Sequence, residues 1–191
     1  MQRRSLLAIL AAMVATGAML PAQQASAQNA RPRRPDVIYV PTSNPVVTRM
    51  LEVAHIRPSD VVYDLGCGDG RIPIMAAQRY GARGVGIDIN PERIREARQN
   101  ARDARVEDRV NFIEGDLFHA NITGASVVTL YLGAALNMKV RPKLLAELRP
   151  GTRVVSHDFD MGDWQPEWSD IVKGAYVYLW RVPRRARSGH P

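Results

Sequence analysis

Three aspartates stand where short apolar runs of the sequence end: Asp64, Asp88 and Asp116. A carboxylate can accept hydrogen bonds from both vicinal hydroxyls of a ribose, or from the amino group of an adenine. Several carboxylates at one edge of a fold also attract a cationic ligand. Aspartate is common in solvated turns as well. The pattern nevertheless favours a site for a positively charged ligand that contains a nucleoside.

A glycine-rich turn follows the first of these aspartates. It consists of Gly66, Cys67, Gly68, Asp69 and Gly70. Glycines allow a tight turn and a close approach of the backbone to a ligand. The dinucleotide fingerprint G-x-G-x-x-G is not met, because the third glycine comes one residue early and Arg71 takes the sixth position. Asp64 and Asp69 would repel a pyrophosphate but not a sulfonium or an ammonium group.

The elements that must position these residues alternate between strand and helix. The expected strands are residues 61–65, 84–89, 110–114, 125–132 and 152–159, followed by a hairpin of 169–172 and 176–182. The expected helices are residues 43–54, 72–80, 91–104 and 135–148, the last bent or restarted at Pro142. Such alternation predicts an α/β fold with a mostly parallel sheet covered on both faces. Ligands of such sheets lie at the carboxyl ends of the strands, where the strand order reverses.

The N-terminus has the pattern of a secretory signal peptide. A basic start at Met1–Arg4 is followed by an apolar run to Leu20 and by the small residues Ala25-Ser26-Ala27. We expect residues 1–27 to be a removable signal and the protein to be periplasmic or secreted; Arg3-Arg4 also resembles a twin-arginine signal. The alternative is a membrane anchor through an uncleaved N-terminus. The expected mature chain has a flexible leader (28–38), a catalytic domain (39–183) and a basic tail (184–191).

The positive charge of the chain is concentrated at its ends. The 191 residues contain 26 Lys and Arg against 19 Asp and Glu, a net charge of +7. Without the arginines of the signal, leader and tail, the body has 18 basic against 19 acidic residues. A near-neutral body argues against a nucleic-acid partner, which requires a basic face on the fold. The single cysteine, Cys67, excludes an intramolecular disulfide and a cysteine-based zinc site.

The three motifs together resemble those of class I S-adenosylmethionine (SAM)-dependent methyltransferases. These motifs are Asp64–Ile72, Gly86–Pro91 and Gly115–Leu117. The resemblance implies a Rossmann-like, doubly wound, seven-stranded sheet with one antiparallel strand in the C-terminal hairpin. It implies that the glycine turn faces the methionine part of SAM, Asp88 the ribose and Asp116 the adenine. The implied cofactor-binding residues are Tyr39, Thr42, Asp64, Gly66, Cys67, Gly68, Asp69, Gly70, Asp88, Ile89, Asp116, Leu117 and Tyr131.

A narrower resemblance is carried by Tyr39-Val40-Pro41-Thr42 and Asp69-Gly70-Arg71. These segments are similar to small single-domain protein-lysine methyltransferases, which include the mitochondrial enzymes that modify the c-subunit of ATP synthase. The resemblance implies that the Y-x-P element covers the cofactor, although it also reads as an ordinary extended lead-in. Those enzymes work with a membrane anchor, whereas this chain is expected to carry an export signal.

Residues after the fourth and fifth strands are candidates for binding the methyl acceptor. Tyr131 and Asp158 are the expected catalytic residues, with His157, Asp160 and Trp164 nearby; Tyr131 could also be a core residue and His157 a turn residue. An acidic and aromatic mouth suits an amine, so a protein lysine is the expected acceptor. A small-molecule N- or O-methyltransferase is the alternative within the enzyme class. A non-catalytic, ligand-binding envelope protein is the alternative of another class. We expect no metal site, no nucleic-acid partner and no stable membrane insertion after signal removal; the sequence does not define the oligomeric state.

Overall fold

A computed structural model describes residues 39–184, in which strands and helices alternate along the chain. The helices are α1 (Asn44–Val53), α2 (Arg71–Tyr80), α3 (Pro91–Asp103) and α4 (Ala134–Glu147). The strands are β1 (Val61–Leu65), β2 (Arg83–Asp88), β3 (Val110–Glu114), β4 (Val127–Leu130), β5 (Arg153–His157), β6 (Trp168–Val172) and β7 (Ala175–Arg181). The expected signal peptide, the leader and the tail beyond Arg184 lie outside the described residues.

The strands form one seven-stranded sheet in the order β3-β2-β1-β4-β5-β7-β6. Strands β1 to β5 pair in parallel, and β7 runs antiparallel to both of its neighbours, β5 and β6. The predicted fold class is therefore confirmed, including the single antiparallel strand in the C-terminal hairpin. The order reverses between β1 and β4, which is where such sheets bind their ligands.

Helices cover both faces of the sheet. On one face α1 and α2 pack on the sheet through a buried cluster that includes Val47, Met50, Leu51 and Val155, and α3 packs beside them. On the opposite face a second cluster joins α4 to the sheet, through Leu144 and others. Each fully buried aliphatic side chain of this kind contributes about 1.5–3 kcal/mol through removal from water. Both faces of the sheet are thus fixed, and its strand ends are held in place.

Two helices begin directly at strand-ending turns because their first residues suit a helix start. The Asn90 side chain accepts a hydrogen bond from the backbone N–H of Glu92 at 2.8 Å, and Pro91 occupies the first turn of α3. Gly70 precedes α2 in the left-handed conformation, with φ of 79°. The loops after β1 and β2 are consequently short and lie at the same edge of the sheet.

The structure differs from the sequence-based expectation in α4 and at two strand ends. Helix α4 runs through Pro142 as one element, which excludes a restart and leaves the bend as the expected alternative. A proline removes one intrahelical hydrogen bond, and the buried residues Val140 and Leu144 hold the helix on either side. Strand β4 ends at Leu130 and β5 at His157, earlier than expected, so Tyr131 and Asp158 leave the sheet.

Candidate active site

A cavity of about 560 Å³ opens at the carboxyl ends of the parallel strands. This size is typical of small-molecule sites, which span about 300–1,000 Å³. The cavity wall contains most of the residues predicted to bind the cofactor: Tyr39, Thr42, Asp64, Gly66, Cys67, Asp69, Asp88, Ile89, Asp116, Leu117 and Tyr131. The structure therefore brings the three aspartates, the glycine turn and the Tyr39–Thr42 segment into one site.

The two remaining predicted residues, Gly68 and Gly70, shape the cavity without lining it. A Cβ atom on Gly68 would lie 2.2 Å from the ring of Tyr39, and one on Gly70 would lie 2.6 Å from the ring of Phe112. Both glycines have a positive φ, of 51° and 79°, which side chains rarely adopt. Their role is to let the turn pass close to two aromatic rings, where a side chain would clash.

Asp64 is a buried carboxylate in the wall of the cavity, with only 4% of the residue exposed. Its Oδ1 accepts a hydrogen bond from the Thr129 hydroxyl at 2.7 Å. Burial raises the pKa of Asp64 to about 7, and the nearby carboxylates of Asp88 and Asp69 contribute to the rise against the effect of Thr129. A cation placed beside Asp64 would offset this cost, because an opposite charge favours the ionised form.

Asp88 is oriented by backbone groups at the end of β2. Its Oδ2 accepts the N–H of Gly68 and its Oδ1 accepts the N–H of Asn90, both at 2.9 Å. A carboxylate oxygen can accept a second hydrogen bond, so both oxygens retain capacity toward the cavity. This geometry suits the two hydroxyls of a ribose.

Asp116 is held in a turn just after β3. Its Oδ1 accepts the N–H of Phe118 at 2.9 Å, and its Oδ2 lies 3.2 Å from Nδ1 of His119. Leu117 lines the cavity next to it. Together they offer an acceptor and an apolar surface, which an adenine ring requires.

The Tyr39–Thr42 segment is fastened over the glycine turn. The Tyr39 ring lies against Gly68, with the Arg93 guanidinium 4.8 Å from its centroid. Arg71 donates to the Thr42 carbonyl at 2.8 Å and pairs with Asp69 at 2.6 Å. Although burial raises the pKa of Asp69, the hydrogen bonds and charge of Arg71 hold it below its ordinary value. Sequence reasoning placed Arg71 in a motif without indicating that it links two segments, and it missed Arg93.

Tyr131 lies next to the glycine turn, in a group of stacked rings. Its ring stacks on His157 with centroids 3.8 Å apart and on Phe159 at 6.0 Å. Burial, followed by the charge of Asp158, raises the pKa of Tyr131. Phe159 was missed by sequence reasoning, because its alignment with Tyr131 depends on the turn after β5.

The other candidates of the acceptor side are placed differently. His157 is buried, with Nδ1 3.0 Å from the Thr42 hydroxyl and Nε2 3.4 Å from Asp158. Burial lowers the pKa of His157, against the opposing charge of Asp158. Asp158 and the exposed Asp160 do not line the cavity. Trp164, expected at the mouth, instead packs against Trp180 and accepts its indole N–H at 2.6 Å.

The residues present fit S-adenosylmethionine. The site combines a buried carboxylate that needs a cation, a floor without side chains at Gly66 and a second carboxylate oriented for a ribose, Asp88. When bound, SAM supplies an electrophilic methyl group on a sulfonium. The protein must align the acceptor with that methyl and exclude water. In residues 39–184, no group of three or more His, Cys, Asp or Glu is arranged to hold a metal ion.

The seven-stranded fold and this cavity define a SAM-dependent methyltransferase. A family model described as the ANTKMT methyltransferase domain matches residues 64–168. The chain belongs to this family.

Related proteins agree with this assignment. The chain is 49% identical over 140 residues to a protein-lysine N-methyltransferase of Saccharolobus islandicus, covering 73% of this chain and 86% of that protein. It is 36% identical over 136 residues to the adenine nucleotide translocase lysine N-methyltransferase of Mus musculus, covering 71% of this chain but only 58% of that protein. A lysine N-methyltransferase named for the c-subunit of ATP synthase, from Xenopus laevis, is 29% identical over 129 residues, covering 68% of this chain and 56% of that protein. The predicted resemblance is confirmed.

A solved structure supports the fold and the cofactor. An RNA methyltransferase from Salinibacter ruber, crystallised with S-adenosyl-L-homocysteine, is 54% identical with a TM-score of 0.76. The match covers 78% of this chain and 98% of that protein. The cofactor of this chain is therefore SAM, and its reaction is methyl transfer.

Between residues 39 and 184, no helix combines the length and the apolar character that crossing a bilayer requires.

Proposed function

We propose that this chain transfers methyl groups from SAM to lysine side chains of a protein. The observation that carries this proposal is the position of Tyr131, which lines the cavity beside Gly66 and stacks on His157 next to the Asp158 carboxylate. Aromatic faces and carboxylates attract an alkylammonium group. The protein-lysine N-methyltransferase names of the relatives point the same way.

A lysine amine must lose a proton before it can accept a methyl group. With an ordinary pKa of about 10.4, this deprotonation costs about 4–5 kcal/mol at neutral pH. A narrow and partly apolar entrance disfavours the charged form. Leu132 and Leu136, which line the cavity near Tyr131, provide such a lining.

RNA is the acceptor named for the Salinibacter protein, and here it is a competing outcome of the test. RNA recognition depends on basic surface near the site. The charged group that acts on Tyr131 is instead the carboxylate of Asp158, which adds to the effect of burial in raising the pKa of Tyr131. We therefore favour protein over RNA.

The test is incubation of the full chain with methyl-labelled SAM and cell extract separated into protein, RNA and small molecules. We expect label in protein that resists ribonuclease and appears as methyl-lysine after hydrolysis. Asp88→Asn should abolish it, whereas Asp103→Asn, at an exposed aspartate of α3, should not. Label in RNA or small molecules alone would refute the lysine acceptor. Binding of SAM with no label anywhere would favour a non-catalytic binding protein.

We also propose export, on the strength of the sequence pattern in residues 1–27. The N-terminus of the protein recovered from the envelope fraction should then begin after Ala27, at residue 28. Recovery of chains that still begin at Met1 in the membrane fraction would instead indicate an uncleaved anchor.

A further inference from the structure

His157 has a polar partner at each of its two ring nitrogens. Nδ1 lies 3.0 Å from the Thr42 hydroxyl, and Nε2 lies 3.4 Å from Asp158 Oδ2. Asp158 is itself fixed, because its backbone adopts a left-handed φ of 60° and its Oδ1 accepts the Tyr176 N–H at 2.9 Å. A non-glycine residue in this conformation persists only where its surroundings hold it. The structure thus holds this carboxylate beside the imidazole.

These contacts favour one tautomer of the neutral ring. An ionised carboxylate only accepts hydrogen bonds, so the proximity of Asp158 favours the tautomer with its proton on Nε2. Nδ1 then has a lone pair, and the Thr42 hydroxyl donates to it. Thr42 lines the cavity, and its hydroxyl oxygen keeps lone pairs that can accept a proton. The order carboxylate, imidazole, hydroxyl matches the roles of a catalytic triad.

The strand order places this group on the acceptor side of the cofactor. Leu65, Leu130 and Ser156 lie side by side in the sheet, so the residues that follow them are neighbours at the strand ends. The carboxylates of the cofactor site lie in the order Asp116 just after β3, Asp88 at the end of β2 and Asp64 near the end of β1. The next ends along the sheet are Tyr131 after β4 and His157 at the end of β5. The acceptor therefore enters where Thr42, Tyr131 and His157 meet.

We propose that Thr42, His157 and Asp158 form a relay that takes the proton from the acceptor amine, a role that rests on the lysine acceptor proposed above. One N–H bond of the ammonium breaks, and its electron pair stays on nitrogen. The proton passes to Thr42 Oγ1 as the Thr42 proton passes to His157 Nδ1. The resulting imidazolium is stabilised by Asp158. The freed lone pair then forms the bond to the methyl carbon, and the sulfur retains the electrons of the broken S–C bond.

The charges around His157 are compatible with this role. Asp158 faces it from its own strand end, and Tyr131 stacks on it from the end of β4. From α2, the Arg71 guanidinium binds the Thr42 carbonyl. From β7, Tyr176 holds Asp158 through its backbone. The lowered pKa of His157, caused first by burial, keeps the ring neutral and able to accept a proton at pH 7.

A tether of the Tyr39–Thr42 segment is the competing role for the same hydrogen bond. Nitrogen NMR tests, without any acceptor, whether the ring has the tautomer that the relay requires. The chain contains 4 histidines, so the ¹⁵N signals of His157 can be assigned by their loss in His157→Asn. We expect the free protein at pH 7 to show the proton on Nε2. A proton on Nδ1 would overturn the relay.

Kinetics provides the second test, with the peptide around the labelled lysine as acceptor. Thr42→Val removes the hydroxyl, Thr42→Ser keeps it, and His157→Asn can accept from Thr42 but cannot take a proton. We expect kcat at pH 7 to fall about 100-fold for Thr42→Val and His157→Asn, and less than about threefold for Thr42→Ser. His55→Asn, at an exposed histidine whose φ of 49° suits asparagine, is the matched control.

The pH profile separates a relay from a tether. In the slow variants kcat should rise about tenfold per pH unit between pH 7 and 9, as free amine forms without help, while the wild type rises less. Affinity for S-adenosylhomocysteine should stay within about threefold of wild type. Equal values of kcat for Thr42→Val and Thr42→Ser would refute the relay. So would a loss of kcat that is the same at every pH and is matched by weaker binding of the cofactor. A wild type that labels no lysine would refute the proposed function, while the NMR result would still decide the tautomer.

Discussion

Replacement of Asp64 by asparagine should remove a proton that the protein releases when it binds SAM. Asp64 is 4% exposed as a residue, and burial, together with Asp88 and Asp69, raises the pKa of its carboxyl to about 7. Much of the free protein near pH 6 therefore holds this group as the neutral acid. A cationic cofactor favours the ionised form, so binding must expel the proton.

The size of the effect follows from the pKa and from the charges. A unit-charge pair about 4 Å apart at an effective dielectric of about 20 is worth about 4 kcal/mol, which lowers the Asp64 pKa by about 3 units. With a free-state pKa of about 7, binding should release about 0.9 proton at pH 6 and about 0.5 at pH 7. The apparent affinity for SAM should correspondingly rise about fivefold between these two pH values.

Titration calorimetry in buffers of different ionisation enthalpy measures the released proton directly. Wild type and the Asp103→Asn control should show the release, and Asp64→Asn should show none and a flatter pH dependence. Release by Asp64→Asn equal to that of wild type would assign the proton to another group. No release by the wild type at pH 6 would refute the raised pKa.

Three further predictions concern stability and the shape of the site. Gly68→Ala should weaken SAM binding and lower Tm, because its Cβ would lie 2.2 Å from Tyr39 at a φ of 51°; Gly115→Ala, with no atom within 4 Å of its Cβ, should leave Tm unchanged. Asn137→Ala should cost about 1–3 kcal/mol in urea unfolding, because the buried amide donates to Ser156 and to the Phe159 carbonyl at 2.9 Å; an unchanged midpoint would contradict this. In free protein, the raised Asp64 pKa means that the folded state binds the proton more tightly than the unfolded state. The contribution of Asp64 to the free energy of unfolding is therefore present at low pH and is lost as pH rises from 3.8 to about 7. Thermal unfolding at a series of pH values would detect this as a steeper decline of Tm in the wild type than in Asp64→Asn.

Local sequence signals predicted much of the fold and of the cofactor site. β1 was predicted with its observed bounds, because an apolar run there ends in glycines. The start of α3 was evident from Asn90-Pro91. Of the two outcomes expected at Pro142, a restart does not occur, because burial of α4 outweighs the loss of one hydrogen bond. Local propensity is a weak guide where packing decides.

Contacts between distant segments could not be predicted. Thr42 and His157 are 115 residues apart, and Thr42 and Arg71 are 29 apart. No periodicity or motif encodes such pairs, because each depends on how the segment before α1 and the end of β5 pack in the folded protein. Asp158, predicted as a catalytic residue, does not line the cavity and lies 3.4 Å from His157 Nε2, because β5 ends two residues earlier than expected and the chain turns there.

The order of strands in the sheet has a consequence for how this family can diversify. The predicted nucleoside-binding residues lie at the ends of β1, β2 and β3, whereas the acceptor site that we propose lies at the ends of β4 and β5, on the other side of the reversal point. Changes in the second group leave the first untouched, so new targets can evolve on an unaltered cofactor half. Homologues named for protein lysine and for RNA can therefore share one scaffold.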